Sequence, residues 1–581
     1  MKKIFLLLIT VTFFTCQQYN NNTFITHFEK TKGLETPEYH DVINYYKELS
    51  NAYAEISFFE MDNTDSGYPL HLVVFDTNGK INLKGLKNST KNRVLINNGI
   101  HPGESDGIDS SMLLLRDIVQ NDSLKKKYHN TIISVIPIYN IGGSLNRNSN
   151  SRANQSGPKE YGFRGNTRNY DLNRDFIKQD TKNAAAFAEI FHTIDPDVFI
   201  DNHVSNGADY QYAITHLFTQ HNKLGGALGD FIETQMRPGL EQSMLQKNIP
   251  ITPYVNVWGG TPKQGWSQFY DSPRYSTGYT TLFNTFGMMV ETHMLKPYKI
   301  RVEQTYELLL SMLDFTEDRS GEIKKIRKNA IREILKKESY PIAFEVNPQK
   351  KPSILQFKGY EGKIVPSKVT TGNRLFYDKE KPFEEPVKYF NEFRPSKEIV
   401  IPRAYILKQG WHRVIDRLDK NQIFYTQFEK DTTIVVETSH INDYKTRPSA
   451  YEGHYLHYNT SIKTDVIAVR FSKGDLYIPV DQKGARYLFE TLEPEATDSF
   501  FNWNFFDTVL QQKEGYSGYV FEDVAEQILN ENSTIKQAFE KRKAIDKEFA
   551  NNPRAQLNFI YKRSKHYEKA HLLLPIYKAY E

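Results

Sequence analysis

Two short strings carry side chains that could share one metal ion. His101-Pro102-Gly103-Glu104 sets a histidine and a carboxylate three apart across a Pro-Gly turn, so both can reach one cation. Asp201-Asn202-His203 supplies a second histidine. A His-Glu-His set leaves the fourth position of a tetrahedral zinc open, as catalytic sites do and structural sites do not. With 16 histidines, about one His-x-x-Glu is expected by chance, so context has to decide. Two further strings supply it. Met288-Met289-Val290-Glu291-Thr292-His293 ends an apolar run in Glu291, a carboxylate that could act as general base toward a water. Tyr170-Asp171-Leu172-Asn173-Arg174-Asp175-Phe176 places an Asn-Arg pair in a polar loop. Read without a metal, His101 is a turn histidine, Glu104 a helix cap, His203 a strand end and Glu291 half of an ion pair. His216 and His221 are rival ligands outside any such string.

Strands must present these strings. Apolar runs predict strands over Leu70–Asp76, Arg93–Asn98, Thr131–Tyr139, Val198–Asn202, Ala213–Phe218 and Gly287–Glu291. Helical patterns cover Gly107–Asn121, Thr181–Thr193, Asn222–Gln246 and Tyr298–Asp314. Runs such as VLIN and IISVIPI are apolar on both faces, which predicts an α/β fold with a mostly parallel or mixed central sheet flanked by helices. The metal-binding strings then fall at the C-terminal ends of strands, where open α/β sheets bind ligands. His454 and His457, three apart in a predicted strand, would point to opposite faces and are read as structural.

In this order, the strings resemble those of the zinc metallocarboxypeptidases, the carboxypeptidase A-like family. The resemblance covers roughly residues 40–320. It implies one zinc ion on His101, Glu104 and His203, and Glu291 as the general base. It implies that Asn173 and Arg174 grip the terminal carboxylate of a peptide substrate. An upstream arginine that polarises the scissile carbonyl is matched best by Arg152, with Arg147 second. A substrate-capping tyrosine falls in FYDSPRYSTGY, with Tyr275 and Tyr279 as candidates beside Tyr270. The family often has Ser-Tyr after the third ligand, where this chain has Val204-Ser205. The activity implied is removal of C-terminal residues from peptides. Alternatives are amidase or endopeptidase action on cell-wall peptides, and a non-catalytic surface lipoprotein that binds peptides or glycans.

The chain has 581 residues and one cysteine, which excludes internal disulfides and Cys-based metal sites. Its 74 Lys+Arg against 70 Asp+Glu, a formal net charge of +4, give no reason to expect nucleic acid. Lys2 and Lys3 precede an apolar run, Ile4 to Phe14, too short to span a membrane but suited to an export signal. The sole cysteine, Cys16, closes that run and resembles the lipidated cysteine of a bacterial lipoprotein. The expectation is an exported protein in the periplasm or at the outer membrane or cell surface, held to the membrane only by an N-terminal lipid. The expected organisation is a leader and tether over 1–22, a metallopeptidase domain over 23–335, a β-rich accessory region over 336–490 and a helical region over 491–581.

Overall fold

The computed structural model describes residues 24–334 and 336–580, so the leader and the Cys16 expectation lie outside the described residues. The first sheet contains β1 (Ile56–Asn63), β2 (Pro69–Phe75), β3 (Asn92–Asn97), β4 (Thr131–Ile136), β5 (Val198–Ser205), β6 (Ile214–Phe218), β7 (Thr252–Pro253) and β9 (Phe286–His293). β8 (Trp266–Ser267) pairs elsewhere. The strand order is β1-β2-β4-β3-β5-β9-β6-β7. The central four, β4, β3, β5 and β9, are parallel, and antiparallel strands flank them. Every residue of β3, β4 and β5 is buried, because helices cover both faces.

Alternation along β3 divides the core. Val94 and Ile96 join the cluster under helices Tyr39–Ala52, Asp106–Gln120 and Tyr298–Asp318. Leu95 joins the opposite cluster with Phe187 and Phe191 of helix Lys182–Ile194. That second helix starts where the Thr181 side chain accepts the Ala184 N–H. The chain leaves β3 toward β4 on one side and later returns to β5 on the other. The crevice between the ends of β3 and β5 is therefore a topological switch point.

The predicted strands and helices of this part are present, with one difference. The expected helix over 222–246 is broken into His221–Leu224, Gly226–Phe231, a π-helical turn Ile232–Met236 and Arg237–Gln246. The break falls at Gly225, between the first two pieces.

The following region is β-rich, as expected. β10 (Ser339–Val346) pairs with β13 (Phe393–Val400), and β11 (Ser353–Pro366) forms a long hairpin with β12 (Asn373–Phe390), to which β8 adds. A six-stranded sheet runs β15-β18-β14-β19-β16-β17, from β14 (Ala404–Leu407), β15 (Thr426–Gln427), β16 (Thr432–Thr446), β17 (His457–Phe471), β18 (Leu476–Pro479) and β19 (Leu573–Ala579). β19 departs from the expected helical region over 491–581. Helices from Gly518 to Tyr561 build a small core of their own, on Phe521, Phe539, Phe549 and Phe559. The chain then returns to the sheet. This region packs directly on the first sheet's helices: Tyr405, Tyr487 and Trp503 share a core with Phe191, Tyr279 and Phe283. Among the described residues, no helix is long and apolar enough to cross a membrane.

Candidate active site

His101-Pro102-Gly103-Glu104 is a β-turn just beyond β3, closed by the Glu104 N–H to the His101 carbonyl at 2.8 Å. His203 lies in the last turn of pleat of β5, and the β5/β9 register sets it directly beside Glu291. Paired positions in adjacent parallel strands put their side chains on one face, so the sheet itself brings His203 and Glu291 together. His101, Glu104 and His203 are buried, and one ligand atom from each lies within 4.8 Å of the others.

Several features fit a cation. Glu104 Oε2 is 3.3 Å from His101 Nδ1 and 3.2 Å from His203 Nδ1. His101 Nε2 meets Asp171 at 2.8 Å and His203 Nε2 meets Asp201 at 2.8 Å. A carboxylate only accepts, so in the neutral rings Nε2 carries the proton and both Nδ1 lone pairs turn to the centre. His101 Nδ1 is buried and has no hydrogen-bond partner. Burial alone would raise the Glu104 pKa, but His101 and Arg152 outweigh it and hold the carboxyl well below the usual range. The donor set of two imidazoles and one carboxylate matches a catalytic zinc site.

The cluster lies in a cavity of about 470 Å³ that is also lined by Glu291, Asn173, Arg174, Arg152 and Tyr275. Burial above all, with Glu104 and Asp201 acting the same way and His203 opposing them, leaves the Glu291 carboxyl pushed up to about 8. Asn173 Oδ1 accepts from the Ser276 N–H at 3.2 Å, and the Arg174 guanidinium lies 4.6 Å from the Tyr275 ring centre. Arg152 Nη1 donates to Glu104 Oε1 at 3.0 Å.

Two expected substrate contacts are corrected. Arg147 donates to the carbonyls of Thr36, Pro37 and Glu160 and does not line the cavity. Tyr279 is fully buried one helical turn beyond Tyr275, with its hydroxyl on Asn421, and cannot meet a substrate. The rival histidines are engaged elsewhere, His216 with Glu241 at 3.0 Å and His221 with Glu392 at 3.3 Å. His454 and His457 do not share a strand, and each has its own carboxylate, Asp180 and Asp507.

Arg164 is the site residue that sequence reasoning missed. It lines the cavity, donates to Asp171 Oδ2 at 2.8 and 3.0 Å, and comes within 3.5 Å of Glu104 Oε1. Asp201, the partner of His203, stood in a recognised string without an assigned role. Its position two residues before His203 in a strand, hence on the same face, was the available signal.

Residues 42–208 match the family model described as zinc carboxypeptidase. Carboxypeptidase 2 of Trichophyton rubrum is 21% identical over 432 residues, covering 71% of this chain and 73% of that protein. Carboxypeptidase 2 of Trichophyton equinum matches to the same extent, 21% over 432 residues, with the same coverage of 71% and 73%. Among solved structures, a metallo-carboxypeptidase from Burkholderia cenocepacia is 15% identical, with a TM-score of 0.35. The match covers 46% of this chain and 66% of that one, just under two thirds of its length. The matched stretch, residues 42–208, holds His101, Glu104 and His203, so all three converging donors fall within the part of this chain that is similar to the zinc carboxypeptidases.

Proposed function

We propose that this chain hydrolyses the amide bond beside the C-terminal residue of a peptide, with one zinc ion on His101, Glu104 and His203. The observation that supports this reading most is a single cavity shared by the three donors, Glu291, Asn173 and Arg174. A zinc ion bound there supplies a Lewis acid that polarises the scissile carbonyl and acidifies a water. Glu291 accepts the proton of the attacking water and passes it to the leaving amine. A cation held beside it favours its ionised form, countering the burial that raises its pKa. Arg152, with Arg164 close by, steadies the oxyanion, an interaction worth about 3 kcal/mol in comparable sites. The guanidinium fork of Arg174 takes the substrate's terminal carboxylate, with Asn173 and Tyr275 at its side.

Arg174→Ala tests this. The expected result is a fall of about 10²-fold in kcat/KM for free-ended peptides, with little change for amidated ones. Wild-type enzyme that cuts amidated peptides as fast as free-ended ones would replace this reading with amidase or endopeptidase action on cell-wall peptides. Zinc-loaded protein that turns over neither would leave a peptide- or glycan-binding surface protein.

Export is proposed on the leader alone, with Cys16 as the lipid-bearing residue and the enzyme in the periplasm or at the cell surface. Cys16→Ser is expected to move the protein out of the membrane fraction or to block its processing. Unchanged membrane partitioning, with no lipid on the mature N-terminus, would remove the anchor.

A further inference from the structure

The β16–β17 hairpin reaches out of the accessory sheet and touches the residues expected to bind the substrate's carboxylate. Its nearby turn runs Tyr451-Glu452-Gly453-His454. Tyr451 and His454 exchange backbone hydrogen bonds at 2.7 and 3.0 Å, and the two central residues have φ of 50° and 78°. Two positive φ values in a two-residue turn favour Asn-Gly or Gly-Gly, so glycine at 453 is expected and glutamate at 452 is not. A residue that suits its turn poorly is explained when its side chain has work elsewhere. Glu452 Oε2 accepts the Asp171 backbone N–H at 2.9 Å, across 281 residues of sequence.

Asp171 is the hub of the site's polar side. One carboxylate oxygen meets His101 Nε2 at 2.8 Å and the Asn173 N–H at 3.0 Å; the other takes Arg164. Around the turn, further contacts tie it to the same loop. His454 meets Asp180 at 2.6 Å, and Gly453 sits so close to Tyr170 that a Cβ there would lie 2.6 Å from the phenol oxygen. The Tyr451 phenol lies beside two guanidinium groups, Arg174 and Arg274. Its ring stacks near Trp503 at 6.1 Å, and the Arg274 guanidinium packs against both rings, 5.7 and 5.0 Å from their centres, and pairs with Asp498 at 2.7 Å. Arg274 directly precedes Tyr275, the ring that faces Arg174 in the cavity. Both flanks of the carboxylate-binding corner are thus held from the accessory region.

We propose that Glu452 and Tyr451 are positioning residues of the active site: Glu452 fixes Asp171, and Tyr451 orients Arg174. The proposal rests on Arg174 reading a free carboxylate, and it makes the β-rich region a working part of the peptidase. Neither side chain lines the cavity, so their loss acts through Asp171 and Arg174.

The test uses the full-length, zinc-loaded chain and steady-state kinetics on a free-ended peptide and its amide. For Tyr451→Phe and Glu452→Ala, KM for the free-ended peptide is expected to rise about tenfold or more, with kcat within about threefold of wild type. Glu452→Gln keeps an oxygen that can accept the Asp171 N–H and is expected to restore most of the affinity lost in Glu452→Ala. Equal falls in kcat for both peptides with an unchanged KM, or no gain from glutamine over alanine, would overturn the proposal. Should Glu452→Ala fail to fold, Tyr451→Phe decides alone: an unchanged KM overturns it. Wild-type enzyme indifferent to the terminal carboxylate would instead sink the carboxypeptidase reading, an outcome visible before any variant is made.

Discussion

Glu291→Gln is expected to keep its zinc and lose its activity. The two side chains have the same size, and glutamine keeps a hydrogen-bonding terminus, but it cannot accept a proton at catalytic pH. Glu291 stands beside His203 in the strand register and lines the cavity, yet it is not among the three residues whose ligand atoms converge. Two imidazoles and one carboxylate leave a net charge near +1 with a divalent ion, which suits a site that acidifies water. A fourth protein ligand would occupy the position the water needs. Removing the proton acceptor is therefore expected to lower kcat/KM by about 10²–10⁴-fold at near-normal metal content. Metal analysis of the purified variant alongside its kinetics checks both halves. A variant that purifies without zinc, or one that keeps most of its activity, would show that Glu291 has been given the wrong role.

His101→Ala and Glu104→Ala are expected to fail in the opposite way, by losing the metal itself. Each removes one of three donors, and Glu104 is also the carboxylate that Arg152 and Arg164 face. A ligand that binds only the folded protein stabilises it in proportion to the logarithm of its concentration over Kd. Added zinc should therefore raise the melting temperature of chelator-treated wild type and leave both variants unmoved. Activity should return on zinc addition in the wild type alone. A zinc-dependent rise of normal size in either variant would remove that residue from the ligand set.

The part of the site that follows from strand ends was legible in the sequence. The runs around Val94 and Val198 are apolar on both faces, so they had to be central strands, and His101 and His203 stood at their ends. Loop residues were harder. Arg147 and Arg152 are five apart in one polar stretch, and nothing local tells them apart; the loop's path gives Arg152 to Glu104 and Arg147 to the carbonyls near Thr36. Tyr275 and Tyr279 look alike in sequence, but the short helix Ser276–Thr281 turns the first to the cavity and the second into the core. Arg164 carries no motif and acts through Asp171, a contact made by folding rather than spacing. The touch of Glu452 on Asp171 joins positions too distant in the chain for any local pattern to announce.

The place of β19 has a consequence for how the protein is made. In the accessory sheet, β16 and β17 are joined to β14 only through β19, which pairs with β14 on one side and β16 on the other. The hairpin whose turn touches Asp171 therefore has no seat in that sheet until the ribosome has delivered residues 573–579. A chain still being synthesised carries the metal-binding turns without the strand that locks the neighbouring hairpin. If that turn sets Asp171 as proposed, the carboxylate-binding corner is complete only once β19 has joined the sheet, well after the metal-binding turns have been made.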